Sequence, residues 1–124
     1  MLTLNADKSI LLMIDIQEKL IPAIHNAEEI ISNVGHLLEA VNLLNIPSLL
    51  TEQNPDGLGS TVSKLAVKNS GEVFKKMTFD ACREPDFLGA LKGKSEIVVV
   101  GCEAHVCVLQ TVLSLLETDR KIFV

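Results

Sequence analysis

The chain has 124 residues with a formal net charge of −5; it is 48% hydrophobic and 22% charged, the balance of one globular unit with enough apolar material for a core. Its 11 Lys and Arg residues are scattered, and it has no Trp or Tyr. These features exclude a stacking platform for single-stranded nucleic acid, a phosphate-tracking basic stripe and a polybasic membrane patch, so neither nucleic acid nor membrane is expected as a partner. No apolar run approaches the ~20 residues of a membrane span, and the opening Met1–Asp7 segment lacks the basic start and apolar core of a secretory leader. Three cysteines without a repeated spacing fit a reducing compartment, and the expected location is cytoplasmic.

The first element is Ser9–Ile16, a nearly continuous apolar run of the kind buried on both faces of a parallel sheet. Asn26 stands three residues before Glu29 as a capping pair; Ile30, Val34, Leu37, Leu38, Val41 and Leu44 then recur at helical spacing until Asn45 and Pro47 stop the pattern. Ser48–Thr51 reads as a second strand, Asn54-Pro55-Asp56-Gly57 as a turn, and Glu72–Lys76 as a third strand. A short helix is expected over Pro85–Leu91 and a fourth strand over Glu96–Val100. Next comes a helix over Ala104–Glu117 that turns Leu109, Val112, Leu113 and Leu116 inward, and a fifth strand begins at Lys121. Alternating strands and helices predict a three-layer α/β/α, doubly wound parallel sheet with strand order 3-2-1-4-5, forming one domain over residues 1–124. The chain stops inside the fifth strand without a helix to cover it, so the domain is expected to be incomplete at its C-terminus.

In such sheets ligands bind beyond the carboxyl ends of the strands, which directs attention to the polar residues found there. Asp15 closes the first apolar run, where a carboxylate is partly desolvated and needs a partner or a function; capping the turn at Gln17–Leu20 is the competing reading. Lys75 and Lys76 close the third strand, and alternation sends them to opposite faces; a solvated lysine is the plainer reading of either. The fourth strand runs into Gly101-Cys102-Glu103-Ala104-His105-Val106-Cys107, where a helix start puts free N–H donors and a positive dipole near the Cys107 thiol, favouring thiolate; a buried structural cysteine is the plainer reading of this segment taken alone. His105 sits two residues from Cys107 and does not face it on a helix, while Cys82 and Cys102 read as packing residues. Without a second Cys/His pair there is no zinc site to expect, and without a Gly-x-Gly-x-x-Gly after the first strand no dinucleotide is expected.

Asp15, Lys76 three residues before Phe79, and the run Gly101–Val108 together resemble the isochorismatase-like cysteine hydrolases over nearly the whole chain. Thr51-Glu52-Gln53-Asn54-Pro55 with Gly57-Leu58-Gly59 is similar to the isochorismatase domain-containing branch. The resemblance implies Cys107 as nucleophile, Asp15 as general acid/base and Lys76 as the cation of a catalytic triad. It also implies a cis peptide just before Ala104 and an oxyanion pocket at the N–H groups of Ala104 and Cys107, with Glu103, Gln53 and Phe79 as further substrate contacts. Ala104 stands where the family commonly has threonine. The metal-bearing nicotinamidases place histidines after the second strand and this chain does not, so no metal and no cofactor are expected. Retention of Cys107 favours acyl chemistry on a small amide-like substrate over vinyl-ether hydrolysis. The resemblance further implies a homo-oligomer. The alternative expectation is a non-catalytic subunit or interaction module of the same fold.

Overall fold

The computed structural model describes residues 3–91 and 93–124; Met1 and Leu2, part of the opening segment read above for a leader, lie outside them. The five strands β1 (Ser9–Ile14), β2 (Ser48–Gln53), β3 (Glu72–Lys76), β4 (Glu96–Gly101) and β5 (Lys121–Phe123) form one parallel sheet in the order β3-β2-β1-β4-β5. Helix α1 (Ala27–Leu43) and the short α3 (Ser63–Ala66) cover one face. Alpha helices α4 (Phe87–Ala90) and α5 (Leu109–Leu116) cover the other, and the single turn α2 (Pro55–Leu58) follows β2. This is the doubly wound three-layer α/β/α sheet that the pattern predicts. No described helix is long and apolar enough to cross a membrane.

Central β1 is buried at every position, which is why its run is apolar without alternation. It ends at Ile14, two residues before the predicted end, because Asp15 adopts φ 52°, a left-handed conformation that strand pairing does not accommodate. Helix α1 begins where expected but without the predicted side-chain cap: Asn26 is itself left-handed (φ 53°), and its carbonyl takes the N–H of Ile30. Of its expected inward positions, Val34, Leu38 and Val41 are buried, whereas Leu37 and Leu44 are exposed and Ile31 takes part in the core instead.

The segment after β4 departs further from expectation. Residues Ala104–Val108 form a π-helical turn before α5 begins, and this wider turn shifts the phase of the helix. Val108, Thr111 and Leu115 therefore face the core and Val112 packs against it, while Leu109, Leu113 and Leu116, expected inside, are exposed. Gly101 sets the entry to this turn. Its φ is 138°, and a Cβ there would lie 2.1 Å from the Ile14 carbonyl oxygen, so only glycine lets β4 close against the end of β1.

Candidate active site

Strand register brings Ile14 beside Thr51, Thr51 beside Phe74, and Gln53 beside Lys76, so Thr51, Gln53 and Lys76 project from the sheet face that α4 and α5 cover. Simple alternation would send Asp15 to the opposite face with Leu11 and Met13. The left-handed turn at Asp15 breaks that alternation and swings its carboxylate toward Thr51 and Lys76. Aspartate tolerates this conformation better than most residues, which is one reason an Asp can stand here.

Asp15 is fully buried, and so is the side chain of Lys76, an ion pair with Nζ 2.8 Å from Oδ2. Lysine reaches it from β3 by lying across β2, an extension that the position of β3 at the sheet edge makes necessary. The Thr51 hydroxyl donates to Asp15 Oδ1 at 2.7 Å. The ammonium also reaches Gln53 Oε1 at 2.7 Å and the carbonyls of Thr78 and Phe79 at 3.1 and 3.3 Å. Asp15 Oδ2 is held chiefly by the Lys76 ammonium and faces the Cys107 thiol.

Cys107 stands beside this pair as the fourth residue of the π-helical turn, buried to 6% exposure. Burial pushes its thiol up to about 12, the adjacent Asp15 carboxylate adds to the rise, and Lys76 opposes it. This corrects the expectation of a helix-stabilised thiolate: desolvation and the neighbouring anion outweigh the dipole, and the resting group is a thiol. Cys82 is pushed up to about 12 and Cys102 to about 11, in each case chiefly by burial. Both are packing residues in the two core layers, with Cys102 lying on the face opposite Cys107.

The remaining predicted positions divide. Glu103 opens the turn, and its carbonyl accepts from the N–H groups of Val106 and Val108. The cis peptide bond lies between Cys102 and Glu103, one residue earlier than the bond before Ala104. Ala104 is exposed at the first position of the turn. Phe79 is exposed and touches the site through its carbonyl. Gln53, expected to contact substrate, has its amide occupied: the oxygen holds Lys76 and the nitrogen donates to the Met77 carbonyl at 3.2 Å. Lys75, the competing lysine, points away and is exposed. Two participants escaped the sequence reading. Thr51 carried a signal, since a hydroxyl in a buried strand needs a partner. Glu84 carried none; its carboxylate accepts from the backbone N–H groups of Met77 and Thr78, beyond β3.

A cavity of about 240 Å³ opens on the same sheet edge, between Asn54–Asp56 and the Lys75–Met77 segment, with Glu84 in its wall. Among the described residues no group of three or more His, Cys, Asp and Glu is arranged to hold a metal ion.

An isochorismatase domain model matches residues 9–124. Isochorismatase domain-containing protein 2 of Danio rerio is 34% identical over 123 residues, covering 98% of this chain and 62% of that protein. A solved structure described as MAR1 ribonuclease from Caenorhabditis elegans superposes with a TM-score of 0.91 at 39% identity, covering 96% of this chain and 62% of that one. YcaC from Pseudomonas aeruginosa, solved with hexane-2,5-diol and covalent acrylamide, gives 0.88 at 26% identity over 96% of this chain and 62% of its own. The chain thus spans less than two thirds of the length of each of these relatives.

Proposed function

The chain belongs to the isochorismatase family, and from that premise we propose that it is a cysteine hydrolase of small amide-like substrates, working through a thioester on Cys107. The observation that carries the reading is the buried Asp15 carboxylate, paired with Lys76 and set beside the Cys107 thiol. Cys107 Sγ attacks the carbonyl carbon while its proton passes to Asp15. The oxygen gains the negative charge and is received by the N–H groups of Ala104 and Cys107. Collapse expels the amine, which takes the proton from Asp15 and leaves a thioester. Water then gives a proton to Asp15 and attacks the thioester; the sulfur leaves and recovers that proton as the acid is released. Lys76 holds the Asp15 carboxylate in place, beside the thiol, for both transfers.

Covalent acrylamide in YcaC supports the reading, because acrylamide joins a carboxamide to an electrophilic carbon. A ribonuclease chemistry, which the name of the nematode protein suggests, fits this chain less well. Phosphodiester cleavage calls for cations free to meet phosphate, and the cation buried here is already neutralised by Asp15. The second reading, a non-catalytic module, rests on one observation: Asp15 and Cys107 are both buried, with little surface open to a ligand. Intact-mass spectrometry after mixing with a panel of small amides decides between them. A transient acyl adduct that maps to Cys107 supports the hydrolase, and an unmodified chain across the panel favours the module.

Self-association belongs to the same proposal. Leu109, Leu113 and Leu116 form an exposed apolar stripe along α5, at 46%, 56% and 56% exposure. Light scattering is expected to give a mass that is a multiple of 13.5 kDa. A stable monomer across a wide concentration range would contradict it.

A further inference from the structure

The loop that follows β3 has an unusual task, since its carbonyls must turn back onto the residue that precedes it. Lys76 Nζ donates to the carbonyls of Thr78 and Phe79, two and three residues downstream. A chain leaving a strand has no intrinsic reason to fold back in this way, and an exposed loop resists it through conformational entropy. Glu84 supplies the restraint. Its Oε1 accepts two backbone hydrogen bonds, from Met77 N–H at 2.7 Å and Thr78 N–H at 3.0 Å, and lies 3.1 Å from the Thr78 hydroxyl, which is 2.8 Å from the Asp80 carbonyl. On its other side the loop is tied to α5: the Asp80 carboxylate takes the Ser114 hydroxyl at 2.5 Å, and Ala81 N–H donates to Thr111 Oγ1 at 3.1 Å.

We propose that Glu84 is a positioning residue for Lys76: its carboxylate clamps the Met77–Thr78 backbone so that the Thr78 and Phe79 carbonyls hold the ammonium against Asp15. Its catalytic meaning rests on the hydrolase reading, but the clamp itself does not. The hydrogen bonds from Met77 and Thr78, with the nearby charge of Lys76, hold the Glu84 carboxyl below its ordinary range, so it remains an acceptor at neutral pH. Lys75 and Asp56 line the adjoining cavity, and the Arg83–Asp80 pair lies in the same loop.

The test reads Lys76 directly. A buried ammonium with three hydrogen-bond acceptors exchanges its protons slowly and gives a lysine cross-peak in nitrogen-15 NMR, assigned by its disappearance in Lys76→Met. Glu84→Ala is expected to remove or broaden that signal, while Glu84→Gln, which keeps an acceptor oxygen in place, retains it. Because Lys76 lowers the thiol's proton affinity, Glu84→Ala should also slow alkylation of Cys107 at fixed pH by about tenfold, through a matching loss of thiolate. Cys102, on the other sheet face, serves as the unchanged control, and Glu84→Gln should restore the rate. An unaltered ammonium signal in folded Glu84→Ala overturns the clamp, as does equal loss in Glu84→Gln. If Glu84→Ala does not fold, Glu84→Asp draws the same charge one methylene back and discriminates in the same way. Turnover by the Cys107→Ala variant tests the hydrolase reading separately, so failure of one is not mistaken for failure of the other.

Discussion

Replacing Cys107 with alanine is expected to abolish amide turnover while leaving the fold intact. The sulfur is the atom that bonds to substrate, and removing a nucleophile from a coupled acid/base site costs on the order of 10⁴-fold or more in kcat. The structural cost is small, because the thiol is one heavy atom at the edge of a core layer, worth about 1 kcal/mol. Asp15→Asn is expected to lower kcat by similar orders, since the amide cannot take the thiol proton. The two variants differ in their alkylation. With its pKa pushed up to about 12, Cys107 is a thiol at neutral pH, so its labelling should climb about tenfold per pH unit above pH 8 without a plateau. Removing the Asp15 charge should accelerate that labelling while abolishing turnover, an inversion that a purely structural role for Asp15 does not produce. A Cys107→Ala variant that keeps the wild-type rate ends the assignment of Cys107.

Much of the site was legible because a parallel sheet gathers strand ends on one edge, and an apolar run that stops at a charged residue marks such an end. Asp15, Lys76 and the run into Cys107 each carried that mark, and register in the folded sheet brings them together. The sequence concealed how they meet. Alternation assigns Asp15 to the wrong face, and only its left-handed backbone corrects this. The charge state of Cys107 was also misjudged, since helix position suggests a thiolate while burial, a property of the whole core, decides for the thiol. The phase of α5 was misread for a related reason: a 3.6-residue period carries no sign of the π-helical turn that offsets it. Glu84 acts through backbone N–H groups across a loop, a contact that no residue spacing announces.

Lys76→Met is expected to destabilise the chain by about 3–5 kcal/mol, the cost of leaving a buried carboxylate without its cation. Asp15 has no access to water, and its other partner, the Thr51 hydroxyl, offers one neutral hydrogen bond that cannot replace a full charge. The lysine's removal also strands Gln53 Oε1 and the Thr78 and Phe79 carbonyls, so the loop beyond β3 should loosen together with the charge defect. The double variant Asp15→Asn with Lys76→Met separates these effects. Replacing both charges by groups of similar shape removes the desolvation penalty, and urea denaturation should show most of the lost stability returning. What then remains of the deficit belongs to the loop. Turnover is expected to stay absent in the double variant, because a neutral amide beside a thiol has neither the base nor the field that the reaction needs. A pair kept for folding alone would be replaced by its neutral counterpart without loss of function. Recovery of stability without recovery of activity would therefore mark the Asp15–Lys76 pair as a device for proton transfer; a single Lys76→Met variant as stable as wild type would show that the pair does not constrain the fold at all.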